Sequence, residues 1–140
     1  TEGGLDVIGA SNIMRDGIKK IRDSGIRVSL FIDPEKSQIE VGSEIGSHGI
    51  EVHTGCYCNA KNSRDEELRK IMSAVALAGR FGLEIHSGHG LNYENVSPIA
   101  GIPEISELNI GHSIVSRAIM VGMVQAVREM KELIEHARRV

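Results

Sequence analysis

With 140 residues, 41% of them hydrophobic, the chain is long enough to bury one sizeable core and too short for two comfortable domains. Its 16 Lys and Arg against 19 Asp and Glu are scattered along the sequence for a net charge of −3. That excludes the concentrated basic field of nucleic-acid binders, and two Tyr, two Phe and no Trp leave little on which bases could stack. No apolar run reaches the roughly 18 residues of a membrane span and no signal peptide is legible, so a soluble, cytosolic α/β protein is expected. Cys56 and Cys58 stand too close together for a good structural disulfide and lack zinc-pair spacing, so they read as loop residues.

The expected elements, in chain order, alternate. Asn12 to Ser24 keeps Ile13, Gly17, Ile18 and Ile21 on one helical face. A strand follows from Gly25, with Ile26, Val28 and Leu30 alternating with Arg27 and Ser29, and it ends at Phe31-Ile32-Asp33. Asp33-Pro34 reads as a cap with proline at the first helical position, ahead of Ile39, Gly42 and Ile45. The second strand starts at Gly49 and carries Glu51 and His53 on one face. Ser63 with Glu66 matches a capping box before Leu68, Ile71, Met72, Val75 and Ala76. A third strand starts at Gly82, and Asn92 to Ala100 reads as a short helix interrupted by Pro98. The fourth strand runs Glu107 to His112, and Ser113 to Arg139 is a long helix that Gly122 bends or breaks. The glycines opening the first three strands are expected to end the preceding helices in left-handed conformation.

Strands at residues 25, 49, 82 and 107 leave room each time for a crossover helix, which forces parallel pairing with right-handed connections. Strands buried on both faces of an open sheet would be apolar throughout. These alternate strictly, with Arg27, Glu51, Glu84 and Asn109 on the second face, a lining suited to the inside of a barrel that handles a charged ligand. A complete (β/α)8 barrel of the TIM type needs about 250 residues. The expectation is therefore four β/α units, half of one barrel domain, with no internal domain boundary.

Active groups of such barrels sit at the carboxyl ends of the strands. Reading those ends brings four of the six histidines, His53, His86, His89 and His112, to one end of the fold. In Ser87-Gly88-His89-Gly90 the flanking glycines let the backbone turn while the imidazole projects, placing His89 to move protons. Asn109-Ile110-Gly111-His112 precedes a helix, whose free N–H groups and dipole suit phosphate. Glu51 inside a barrel is costly unless paired, with Arg27 as its structural partner, or employed. A metal site from Glu51, His53, His86 and His89 is the other reading.

Thr1-Glu2-Gly3-Gly4-Leu5-Asp6-Val7, Val28-Ser29-Leu30-Phe31-Ile32-Asp33, Ile50-Glu51-Val52-His53-Thr54-Gly55-Cys56-Tyr57, Gly88-His89-Gly90-Leu91 and Glu107-Leu108-Asn109-Ile110-Gly111-His112 occur in this order. Together they resemble the pyridoxine 5′-phosphate synthase family across nearly the whole chain. The resemblance implies a (β/α)8 barrel, a homo-octamer, and condensation of 1-deoxy-D-xylulose 5-phosphate with 3-amino-2-oxopropyl phosphate. The products are pyridoxine 5′-phosphate, phosphate and water, formed without metal or organic cofactor. By the same resemblance His89 is the proton donor, Glu51 stabilises transition-state charge, and Gly90, Gly111 and His112 hold the amino-ketone phosphate.

His86 stands where the family has Asn and receives no role. The family's first strands, with their general-base His and Glu, have no counterpart here. The 140 residues alone are accordingly expected to be inactive. Two other classes of protein fit the same residues. One is a non-catalytic phosphate-binding half-barrel that self-associates to hide two free sheet edges and an apolar inner wall. The other is a metal-dependent barrel lyase or hydrolase.

Overall fold

Residues 3–139 are described by the computed structural model, so Thr1 and Glu2 of the first motif lie outside the described residues. In chain order come α1 (Ser11–Asp23), β1 (Ser29–Ile32), α2 (Lys36–Glu44), β2 (Gly49–His53), α3 (Gly55–Asn59) and α4 (Arg64–Arg80). They are followed by β3 (Glu84–Gly88), α5 (Val96–Ala100), β4 (Glu107–Asn109), α6 (His112–Val121) and α7 (Met123–Ala137). The four strands form one parallel sheet in the sequential order β1-β2-β3-β4. Sequential order with right-handed crossovers puts the helices on one side of the sheet, as in a sector of a barrel wall. The fold is α/β, with four parallel strands and alternating helices as expected.

Side-chain alternation decides the two faces. Leu30, Ile32, Ile50, Val52 and Ile85 are buried in one cluster with Ile39 of α2 and Ile71, Val75 and Ala78 of α4. The register places Phe31, Glu51, His86 and Glu107 side by side on the other face. This inner wall is mostly polar, as the alternation of the strands predicts, and lacks the apolar surface that the self-associating half-barrel reading called for. The most exposed apolar side chains are instead on the helices: Ile13 on α1, Ile119 and Met120 on α6, and Val124 on α7.

Several boundaries moved for local reasons. The first strand begins at Ser29, and Ile26 is exposed in the loop after Gly25. Gly46, and not Gly49, ends α2 with φ +89; Gly49 is already in β2. The break at Gly122 is real, with φ +83 between α6 and α7. Helix α4 starts after Ser63 as read, but the Ser63 side chain makes no cap hydrogen bond. Helix α3 was not foreseen. Cys56 and Cys58 lie on it as free thiols, with buried Tyr57 between them donating its hydroxyl to the Asn95 carbonyl. Most consequential, the N-cap position of α2 is Glu35, whose side chain makes no cap hydrogen bond, rather than Asp33. Asp33 is thereby left at the end of β1, with its side chain turned to other partners.

Candidate active site

The carboxyl ends of the strands open on a cleft of about 470 Å³ lined by Phe31, Glu51, His89, Gly90, Leu91 and residues 109–112. Each wall has a local cause. Glu51 comes from the middle of β2, level with His86 of β3 in the register. Gly88, two residues further along β3 on the same face, has no side chain because a Cβ there would overlap Glu51 Oε1 and crowd the Asn109 backbone. Burial pushes the Glu51 carboxyl above its ordinary value, against the pull of the Asn109 side chain and the His86 and His53 imidazoles. Glu107, in the same layer, adds to the upward push.

His89 follows Gly88 in a left-handed conformation, φ +75, which is uncommon for a residue with a side chain. The conformation is held from outside: Thr54 Oγ1 lies 2.7 Å from the Gly88 carbonyl and 2.6 Å from that of His89. Asn95 fixes the rest of the turn by donating its amide to the Gly90 carbonyl at 3.3 Å. The opposite wall is the start of α6, where Gly111 is the N-cap and Ser113 Oγ donates to the Leu91 carbonyl at 2.8 Å. No acidic side chain occupies the first turn of α6, so its N–H groups meet the cleft with their dipole uncompensated.

All five residues singled out in the sequence, Glu51, His89, Gly90, Gly111 and His112, therefore line one cleft. His86 does not join the rim. It sits mid-strand, 3.5 Å from Ser29 Oγ and 3.8 Å from Glu84 Oε1, so three of the expected four imidazoles gather there. Arg27 is not the partner of Glu51. Its guanidinium pairs with Glu84 at 2.8 Å, both side chains being well exposed. Because such a pair is screened by water, Arg27→Ala is expected to leave the melting temperature nearly unchanged by calorimetry. A drop of many degrees would show that the pair holds the sheet. Among the described residues no three or more His, Cys, Asp or Glu side chains are arranged to hold a metal, so Glu51, His53, His86 and His89 do not form the site considered above.

Sequence reasoning named His53 but missed its pairing with Asp33. His53 is 5% exposed, and its Nδ1 lies 2.7 Å from Asp33 Oδ1. The two meet because Ile32 and Val52 are partners in the register and Asp33 and His53 are the next residues along each strand. The alternation of the two strands carried this signal; reading Asp33 as a helix cap hid it. Burial also raises the Cys58 thiol, which keeps it protonated beside the His89 carbonyl, 3.6 Å away. No helix among the described residues is long and apolar enough to cross a membrane.

Comparison with known proteins gives these positions a context. A curated pyridoxine 5′-phosphate synthase of Magnetococcus marinus is 50% identical over 139 residues, covering 98% of this chain and 57% of that protein. Those of a Sulfurihydrogenibium species and of Blochmanniella pennsylvanica are also 50% identical, each covering 99% of this chain and 58% of the relative. The chain thus spans a little over half the length of the curated relatives it matches. The family profile described as pyridoxal phosphate biosynthesis protein PdxJ matches residues 1–136. Matched almost from end to end, the chain belongs to the PdxJ family.

Proposed function

We propose that this chain is the C-terminal half of a single (β/α)8 barrel domain and forms the phosphate and proton-donor side of a pyridoxine 5′-phosphate synthase site. The observation that carries this reading is the convergence of Glu51, His89, Gly90, Gly111 and His112 on one cleft. The substrates are 1-deoxy-D-xylulose 5-phosphate and 3-amino-2-oxopropyl phosphate, and the reaction uses no metal or organic cofactor. Gly90, Gly111 and His112 hold the phosphate of the amino ketone. The α6 N-terminus offers N–H groups to the anion, and the exposed His112 stands at its first position. His89 gives a proton to a leaving oxygen, and Glu51, close by across the cleft, stabilises positive charge developing on nitrogen.

The protein works in the cytoplasm as a homo-oligomer. Support for association comes from Ile119 and Met120, each 80% exposed, and Val124, 74% exposed, apolar side chains that a second subunit would cover.

Titration calorimetry of the folded chain with inorganic phosphate and with 3-amino-2-oxopropyl phosphate tests the reading. Both are expected to bind, the amino ketone more tightly. Absence of heat at about millimolar ligand, where even weak anion sites register, would remove the phosphate site. Turnover is expected only from a protein that carries the complete barrel, and synthase activity from the 140 residues alone would overturn the half-barrel assignment.

A further inference from the structure

We infer that His53, held by Asp33, is a positioning residue for His89, with its Nε2 serving as the acceptor that orients the His89 imidazole. This deepens the synthase reading and rests on it for the role of His89.

Four observations converge. The His53 ring is almost wholly buried, yet its Nε2 has no hydrogen-bond partner. A buried acceptor left unmade costs about 1–3 kcal/mol, so a group kept in that state calls for a use. Second, the Asp33 carboxylate lies 2.7 Å from Nδ1. A carboxylate only accepts, so the hydrogen is placed on Nδ1, and Nε2 of the neutral ring keeps its lone pair. Third, the His53 and His89 ring centroids are 5.0 Å apart at 61°, and Phe31 packs its ring against both. That spacing is short enough for a ring N–H of His89 to reach the Nε2 lone pair once the His89 side chain turns. Fourth, α3 closes down on the ring: a Cβ on Gly55 would overlap His53 Nε2.

His89 also stands between two spaces. On one side is the cleft with Glu51, and on the other a hollow of about 450 Å³ lined by His53, Gly55, Cys56, Asn59 and His89 itself. As the imidazolium, His89 donates one N–H to His53 and directs its other N–H, the proton it gives up, toward the cleft. The chain Asp33–His53–His89 thereby fixes which nitrogen faces the ligand. Half-exposed Asp33 anchors it at the surface, also accepting from the Gly4 N–H at 3.2 Å.

The first test uses the 140-residue chain and long-range ¹H–¹⁵N correlation of its imidazoles at about pH 8, where unperturbed imidazoles are neutral. His53 is expected to carry its hydrogen on Nδ1 and none on Nε2, and Asp33→Ala, a half-exposed change, is expected to move it to Nε2. A hydrogen on Nε2 in the unsubstituted chain, or no change in Asp33→Ala, overturns the inference. The second test is kinetic, in a protein with the complete barrel. His53→Phe keeps a buried ring and is expected to lower kcat about 100-fold with KM within about twofold, whereas His53→Gln, which restores an acceptor, recovers at least about tenfold. Turnover of the Phe variant equal to or above that of the Gln variant means that ring packing alone matters, and overturns it. Should His53→Phe fail to fold by circular dichroism, the tautomer measurement with Asp33→Ala decides. If phosphate fails to bind while His53 shows the expected tautomer, the synthase reading falls and the pair stands.

Discussion

Replacing His89 with Asn is expected to lower turnover about 100- to 10,000-fold in a protein with the complete barrel, with phosphate affinity changed less than about twofold. Asparagine is the informative substitute because the backbone at this position is left-handed, φ +75. Among residues with side chains, Asn adopts that region more readily than most, so the turn survives and only the imidazole is lost. The Thr54 hydroxyl, hydrogen-bonding to main-chain carbonyls of the turn, stays in place as well. Phosphate affinity should persist because the proposed donors, at Gly90 and the start of α6, are untouched by the substitution. Steady-state kinetics beside a phosphate titration separates the two effects. Unchanged turnover would remove His89 from the chemistry, and a parallel loss of phosphate affinity would place it in the anion site instead.

The second large effect is expected at Glu51, where Gln keeps shape and removes charge. Turnover should fall about 100- to 1,000-fold, the cost of losing one preorganised electrostatic group. Stability should move the other way. Burial raises the carboxyl above 4.5, so the folded chain holds its proton to higher pH than the unfolded chain does. Between those two values the native state binds more protons, and the stability of the unsubstituted protein falls as pH rises through the window just above 4.5. It is fully present only below that window. Glu51→Gln has no such proton to lose, so its melting temperature should stay flatter there and lie above that of the unsubstituted protein at neutral pH. Melting curves of both proteins across that range check the sign. Parallel profiles would mean that the carboxyl is not held against its ionisation by burial.

The two substitutions share a cause, since both residues owe their state to neighbours remote in sequence. Gly88 on β3 leaves the space that Glu51 on β2 fills. Thr54, directly after β2, pins the turn that sets His89. Substitutions at Gly88 and Thr54 are therefore expected to disturb Glu51 and His89 indirectly.

Much of this was legible in the chain itself. Strict alternation in Ile50-Glu51-Val52-His53 fixed which side chains face inward, because period two is a property of any extended backbone. The spacing of four such segments dictated parallel pairing, since a hairpin connection cannot join parallel strands. Glycines marked helix ends and the break at Gly122, because few other residues take positive φ without cost. What local pattern could not settle was competition between partners. Asp33 precedes Pro34 as a helix cap would, yet His53 and Gly4 claim its carboxylate. Arg27 could have neutralised Glu51, yet it pairs with Glu84. Each choice depends on register across strands some twenty to sixty residues apart, and no periodicity within one segment encodes it. The sequence by itself determined the four strands with their crossover helices and the inward set, though not helix α3 or the place of His86. Only the tertiary structure decided who pairs with whom, because a side chain's partner is set by the meeting of two faces and never by one alone.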